Sequence, residues 1–138
     1  MKLRTQCLSL VLLCLFGSVA ASSAVQPQPE PPETVMATFR VKPDQLQAFL
    51  KMMPEYWKLL RDRDMVDAEP HLLMQGEENG KPIVVQVFTW KSGDIPDHAP
   101  AEVQKYWTQM NAMVEPRDGH PGIDFPPMTL LDLMAPAK

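Results

Sequence analysis

The pattern of apolar residues is clearest between residues 82 and 114, where a strand-like run is followed by an amphipathic helix. Residues 82–90 are apolar on both faces apart from Gln86, which predicts a strand in the interior of a sheet. A loop is predicted between this strand and residue 100. From residue 100 to residue 114 apolar side chains recur at helical spacing, and the helix is predicted to end before Pro116. Its apolar face carries Val103, Tyr106, Trp107, Met110 and either Met113 or Val114.

The first half of the chain predicts another strand and another helix. Residues 35–41 alternate between apolar and polar positions, which is the period of a strand with one buried face. Pro43 then stands at the first position of a helix, where its missing N–H removes no hydrogen bond. Pro54 lies within the apolar stripe of this helix, but the stripe stays in phase beyond it, so we expect a kink rather than a break. The stripe consists of Leu46, Phe49, Leu50, Met53, Trp57 and Leu60.

Three further segments complete a β-α-β-β-α-β order. Residues 71–75 predict a short second strand, and Asn79-Gly80 predicts a hairpin turn into the following strand, because both turn residues need a positive φ. Residues 116–127 predict a loop rich in Pro and Gly, and residues 128–134 predict the last strand. Two helices on one face of a four-stranded antiparallel sheet make an α+β, ferredoxin-like fold.

Such a sheet has a second face that no helix covers. The chain holds 10 methionines and 3 tryptophans, which is more apolar surface than two helices hide. Exposed apolar faces of this kind mark protein contacts. We therefore predict a homodimer formed through the face that carries Met36, Thr38 and either Val84 or Phe88.

The N-terminus has the layout of a secretory signal peptide. Lys2 and Arg4 precede an apolar run of 10 residues, and small residues follow up to Ala24. That run is shorter than the roughly 20 residues that cross a bilayer, so we expect cleavage near residues 20–24 rather than anchoring, and no stable membrane insertion afterwards. Residues 1–24 are thus a predicted signal peptide, residues 25–33 a proline-rich tether, and residues 34–135 one exported domain, periplasmic or secreted.

Cleavage would change the chemistry available to the mature chain. Both cysteines, Cys7 and Cys14, precede the predicted cleavage site, so the exported domain is expected to have neither a disulfide nor a thiol nucleophile. Removing Lys2 and Arg4 takes the formal net charge from −4 to −6. No basic cluster is left that would predict nucleic-acid binding.

A short set of residues carries a resemblance to a known family. Phe88-Thr89-Trp90-Lys91-Ser92 ends the third strand, His98 follows eight residues after Trp90, and Tyr106-Trp107 lies on the next helix. The chain thereby resembles the antibiotic-biosynthesis-monooxygenase and stress-responsive group of dimeric α/β-barrel domains, in which this spacing is about nine. The resemblance implies a homodimer with its two sheets packed face to face. It also implies a small-ligand pocket in each protomer, between the sheet and the helices.

The resemblance also bears on activity. The haem-degrading branch of the group relies on an Asn at the end of the first strand and a His inside the second helix. Here the first strand carries Arg40 and the helix over residues 100–114 has no His, which argues against haem oxygenation. Other members of the group resemble cofactor-independent oxygenases of quinols or polycyclic phenols, so no cofactor is predicted.

The candidate site residues form two groups. In the first, His98 is either a general base, since histidine titrates near neutral pH, or a structural hydrogen-bonding residue. Trp90 and Trp107 either stack on an aromatic ligand or belong to the core. Tyr106 and Met110 lie on the same helical face as Trp107. The second group either holds an anionic part of a ligand or forms a polar patch in the dimer contact. It consists of Arg40, His71, Gln75, Gln86 and Asp132.

Metal binding is not predicted, because His71, His98 and His120 are far apart in sequence. Two functions are consistent with these observations. One is an exported, dimeric domain that binds a small aromatic or quinol-type ligand. The sequence leaves open whether this domain also oxidises the ligand as a cofactor-independent monooxygenase. The other is a non-catalytic binding or stress-related accessory domain, in which side chains fill the pocket.

Overall fold

The computed structural model describes residue 28, residues 30–126 and residue 128. The elements, in order, are β1 (Glu33–Phe39), α1 (Leu46–Asp62), β2 (Leu72–Glu78), β3 (Lys81–Trp90), α2 (Ala101–Met113) and β4 (Ile123–Asp124), with 3₁₀ turns at Pro43–Gln45 and Pro96–His98. The strands form one antiparallel sheet in the order β2-β3-β1-β4. The predicted α+β, ferredoxin-like fold is confirmed. The predicted signal peptide, residues 25–27 and 29 of the tether, and Asp132 lie outside the described residues.

The pairing of β1 with β3 decides which side chains face the helices. Ala37 is the partner of Gln86, and Phe39 is the partner of Val84. Directly paired residues point to the same face of a sheet, and successive residues point to opposite faces. Ala37 and Val84 are fully buried under the helices. The intervening Val85 therefore lies on the open face.

This register corrects one prediction about the open face. Val84 and Phe88 were candidates for it, but both are buried on the helix side. The open face instead carries the half-buried Val85 and Val87 of β3, opposite Thr38 and Met36 of β1. The sequence could not distinguish the two sets, because residues 82–90 are apolar on both faces.

Helix α1 covers the inner face of the sheet with the predicted stripe. Pro43 lies at the first turn, and Pro54 lies inside the helix with its side chain exposed, while α1 continues through it to Asp62. The helix is thus unbroken at Pro54, as the stripe predicted. Its buried residues are Phe49, Met53, Tyr56 and Leu60.

The hairpin between β2 and β3 confirms the turn prediction. Asn79 and Gly80 have φ values of 53° and 74°, the left-handed conformation that a two-residue hairpin turn of this type requires. β2 is an edge strand, since it pairs with β3 alone. Three consecutive apolar side chains in it are exposed, namely Leu72, Leu73 and Met74.

The fourth strand lies earlier than predicted. Ile123 and Asp124 pair with Phe39 and Thr38 of β1, inside the segment predicted as a loop. The predicted strand over residues 128–134 falls outside the described residues except for Met128, which is not in a strand. Just before β4 the Gly122 carbonyl accepts a hydrogen bond from the Arg40 amide at 2.7 Å, and a Cβ on Gly122 would meet the Val114 side chain at 2.7 Å. Only glycine permits this close approach.

Candidate ligand-binding cavity

A cavity of about 530 Å³ lies between the inner face of the sheet and helix α2. Its floor is made by residues of β1 and β3 that share the inner face, and its roof by residues of the two helices. The floor includes Val35, Ala37, Phe39, Gln86, Phe88 and Trp90, and the roof includes Tyr56, Trp107 and Met110. Most of the wall is therefore apolar or aromatic, with a few polar groups.

Secondary structure explains why these side chains meet. Ala37 and Phe39 are two residues apart on β1, so both point to the inner face. Trp107 and Met110 are three residues apart on α2 and lie on one face of that helix. The inward residue at the centre of β1 is Ala37, which has only a methyl group and is fully buried in the floor of the cavity.

One end of the cavity reaches the protein surface. Glu33 and Asn111 line the cavity and are exposed, and the Phe125 side chain is 56% exposed. Gln86, at 1% exposure, lies deep in the wall. A ligand would therefore enter past Glu33, Asn111 and Phe125 and extend inward along β1 and β3.

Tyr56 and Trp107 are joined across the roof. The Trp107 indole N–H donates a hydrogen bond to the Tyr56 hydroxyl oxygen at 2.9 Å. Burial raises the pKa of Tyr56 to about 12, although the hydrogen bond from Trp107 acts in the opposite direction. The phenol thus stays protonated at physiological pH and offers a hydrogen-bond donor.

Gln86 places an amide in the apolar floor. Its Nε2 lies 3.5 Å from Nε2 of His71. The His71 ring stacks on the Trp57 indole, with centroids 3.6 Å apart and planes within 6° of parallel. Burial lowers the pKa of His71, and the nearby Glu69 carboxylate partly opposes this shift. Imidazole, amide and indole thus form a contiguous group that leads from the cavity to the surface at β2.

Four of the predicted ligand-binding residues line the cavity: Trp90, Trp107, Met110 and Gln86. Trp90 packs edge-on against Phe88, with ring centroids 4.9 Å apart. Tyr106, also predicted, packs its ring against that of Tyr56 at a centroid distance of 5.6 Å. It supports the roof from behind and is not among the lining residues.

His98 does not line this cavity, so the arrangement gives no support to its general-base alternative. Its side chain is exposed and borders a separate shallow depression beside Arg63 and Met65. His98 ends the 3₁₀ turn Pro96–His98, whose first residue, Pro96, lines the cavity. A 3₁₀ helix has three residues per turn, so residues two apart point in different directions.

The second predicted group is divided between the two faces of the sheet. Arg40 follows Phe39 and lies on the open face, whereas Gln86 lies on the inner face. Arg40 and Gln86 therefore do not lie together, although both were predicted in one group. Of the rest of that group, His71 meets Gln86, the exposed Gln75 pairs with Val84 at the sheet edge, and Asp132 lies outside the described residues.

Arg40 is instead the centre of an ion-paired cluster. Its guanidinium donates to both carboxylate oxygens of Glu78, at 2.9 and 3.3 Å, and to the Pro121 carbonyl at 2.9 Å. Asp124 lies 3.8 Å away. Arg40 is only 5% exposed, so its charge is neutralised where β1, the β2–β3 hairpin and β4 meet.

Sequence reasoning missed Tyr56 as a wall residue. Tyr56 follows Phe49 by seven residues and Met53 by three, so it fits the inward stripe of α1 as well as the adjacent Trp57 does. Both face inward, but Trp57 turns towards His71 and Tyr56 towards Trp107. The helical spacing alone was a sufficient signal for Tyr56.

Within residues 30–126, no group of three or more His, Cys, Asp or Glu side chains is arranged to hold a metal ion. In the same part of the chain, no helix combines the length and apolar character needed to span a bilayer.

Comparisons with known proteins bear on the fold. No protein-family model and no curated protein matches this sequence. The crystal structure of a conserved protein from Methanosarcina mazei Go1 is similar, with a TM-score of 0.54 and coverage of 72% of this chain and 94% of that chain. The two sequences are 15% identical, so the similarity shows the fold alone.

Proposed function

We propose that this protein is a small-molecule-binding domain that holds a largely apolar, aromatic ligand in the cavity between its sheet and helix α2. The cavity itself carries the proposal. Its volume of about 530 Å³ lies within the range of small-molecule sites, which are mostly apolar and contain a few placed polar groups. Tyr56 and Gln86 are such groups here.

The openness of the cavity favours a ligand over the alternative of an accessory domain with a filled pocket. That alternative requires Trp90, Trp107 and Met110 to fill the space between the sheet and the helices, whereas all three line the cavity, with Trp90 and Met110 deep in its wall. Protein interiors contain few voids larger than a water molecule, and a void costs stability in proportion to its size. A ligand that fills the space recovers those contacts.

The wall favours binding as the primary function. Indoles offer stacking surfaces, and a phenol and an amide offer hydrogen bonds that fix orientation. Cofactor-independent oxygenation of the ligand, which the family resemblance implies, stays a prediction. Export of the domain after removal of residues 1–24 likewise stays a prediction, supported by the N-terminal sequence pattern.

We also infer that a second copy of the chain covers the open face of the sheet. That face presents Met36, Val85 and Val87 at its centre, and the exposed Leu72 and Met74 beside them. Obligate dimers of this kind bury something like 2,000 Å² or more in total. The cavity lies on the other face, so each protomer would keep its own ligand.

Titration with the neutral fluorescent probe N-phenyl-1-naphthylamine tests the binding function. We expect saturable fluorescence enhancement with one site per chain. Ala37→Phe fills the centre of the cavity and should weaken binding at least about tenfold, equivalent to 1.4 kcal/mol. Because Ala37 is fully buried, circular dichroism would establish that the variant is folded before its affinity is compared.

Thr38→Val is the matched control, since Thr38 is the next residue along β1 and points to the open face. It should bind the probe like the wild-type protein. Absence of saturable binding to the wild-type protein would contradict the proposal. Equal binding by folded Ala37→Phe would do the same.

A further inference from the structure

The hydroxyl group of Tyr56 has an unused hydrogen-bond donor. The indole nitrogen of Trp107 carries a hydrogen and can only donate, so in the 2.9 Å contact the Tyr56 oxygen is the acceptor. The hydroxyl hydrogen of Tyr56 then remains to be donated. Among the described residues, no side-chain or backbone oxygen accepts it.

This donor lies where an unmet hydrogen bond is expensive. Tyr56 is only 3% exposed. Buried polar groups nearly always find partners, and leaving one without a partner costs about 1–3 kcal/mol. Tyr56 and Trp107 both line the cavity, so an acceptor can reach the hydroxyl from inside it.

The charge of the wall indicates what kind of acceptor fits. Glu33 is the one charged side chain among the described lining residues, and it lies at the mouth. An anionic ligand would meet this carboxylate and, deeper in the cavity, only apolar groups, a phenol and an amide. Burying an unpaired charge is much more costly than burying a neutral polar group.

We propose that Tyr56 orients the ligand by donating a hydrogen bond to a neutral acceptor oxygen, and that the ligand is an uncharged aromatic compound carrying a carbonyl group. The Trp107 N–H holds the oxygen of the Tyr56 hydroxyl in place. The hydroxyl hydrogen is then free to turn towards the cavity, which both residues line. The high pKa of Tyr56 is consistent with this role, because the phenol remains a donor at neutral pH. This inference rests on the proposed binding function and specifies its ligand class.

A pair of probes with one skeleton isolates the hydrogen bond. Tetralin and 1-tetralone share a fused bicyclic ring system and differ in one position, a CH₂ group in the first and a carbonyl in the second. Isothermal titration calorimetry gives the dissociation constant of each. We expect wild-type protein to bind 1-tetralone more tightly than tetralin.

Tyr56→Phe should reduce this preference for the ketone by about 3- to 10-fold, which corresponds to one neutral hydrogen bond. Its affinity for tetralin should be retained or increased. Tyr106→Phe is the matched control, because it deletes the same hydroxyl group from the neighbouring ring, which does not line the cavity. It should leave the preference unchanged.

The infrared carbonyl stretch of 1-tetralone bound to wild-type protein gives a second readout that needs no variant. A frequency lowered towards the value in alcohol supports the inference, and a frequency equal to that in hexane overturns it. An unchanged ketone preference in Tyr56→Phe also overturns it, while the binding function stands. Failure of both probes to bind wild-type protein overturns the inference and the proposed function together.

Discussion

The two faces of the sheet are built by the same strands but have different chemistry. The inner face carries Val84 and Gln86, which are buried under the helices, and it encloses the cavity. The open face carries Val85 and Val87, which are half-buried, and the ion-paired Arg40 at one end. We propose that a ligand completes the inner face together with the protomer's own helices, and that a second copy of the chain covers the open face. On this proposal, adjacent residues of β3 face different partners.

The sharpest test of this difference is an aspartate placed at adjacent positions of β3. Val84 is fully buried on the inner face, so Val84→Asp removes an apolar contact and buries a carboxylate without a partner. We expect a loss of about 3–5 kcal/mol or more, enough to unfold a domain of this size. Circular dichroism and urea denaturation would measure it. A folded Val84→Asp protein with wild-type stability would contradict the assignment of faces.

Val85→Asp tests the open face in the same way. The carboxylate would be solvated in the separated protomer but buried in the dimer contact that we infer. We expect folded protein that no longer dimerises, measured by light scattering coupled to size-exclusion chromatography. Wild-type protein that is monomeric at micromolar concentration would show that a second copy does not cover this face.

The Arg40 cluster predicts a smaller effect. Arg40→Met removes a guanidinium that makes two hydrogen bonds to Glu78 and one to Pro121. Because hydrogen bonds to charged groups contribute about 1.5–3 kcal/mol, we expect a loss of about 2 kcal/mol in urea denaturation. Lys58→Met is the control, since Lys58 pairs with Asp62 on the exposed side of α1 and such pairs contribute less than about 1 kcal/mol. Equal losses in the two variants would show that Arg40 does not join the strands.

The smallest effect concerns pH. Burial lowers the pKa of His71 in the folded protein, so the unfolded chain, with an ordinary value of about 6.5, binds a proton more readily. Stability is therefore expected to fall as the pH decreases from about 7 through that value towards the lower folded one. His71→Phe should keep the stacking on Trp57 and remove this part of the slope. Nuclear magnetic resonance titration would give the pKa directly, and a value above the ordinary one would contradict the expected sign.

Sequence patterns predicted the order of elements because each long element has a clear period. The stripe of α1, the apolar β3 and the Asn79-Gly80 turn are local signals. β4 was missed because a strand of two residues, Ile123–Asp124, has no measurable period. Its position is set by pairing with β1, which a local pattern does not contain.

The site was partly predictable for the same reason. Trp107 and Met110 follow from helical spacing, and Gln86 was visible as a polar residue in an apolar strand. The face of each β3 residue needed the register with β1, since both faces are apolar. Arg40 was grouped with Gln86 and not with its partner Glu78, because Glu78 is 38 positions away and reaches Arg40 only when the hairpin folds.

The most direct measurement of the cavity's function is a crystal structure of the protein soaked with 1-tetralone. We predict electron density for the bicyclic ring over Ala37, between Trp90 and Trp107, with the carbonyl oxygen within hydrogen-bonding distance of the Tyr56 hydroxyl. In the unsoaked crystal the same space should be open or hold solvent. Trp90, Trp107 and Met110 packed together there, with no ligand density after soaking, would contradict the claim that this fold encloses a binding site.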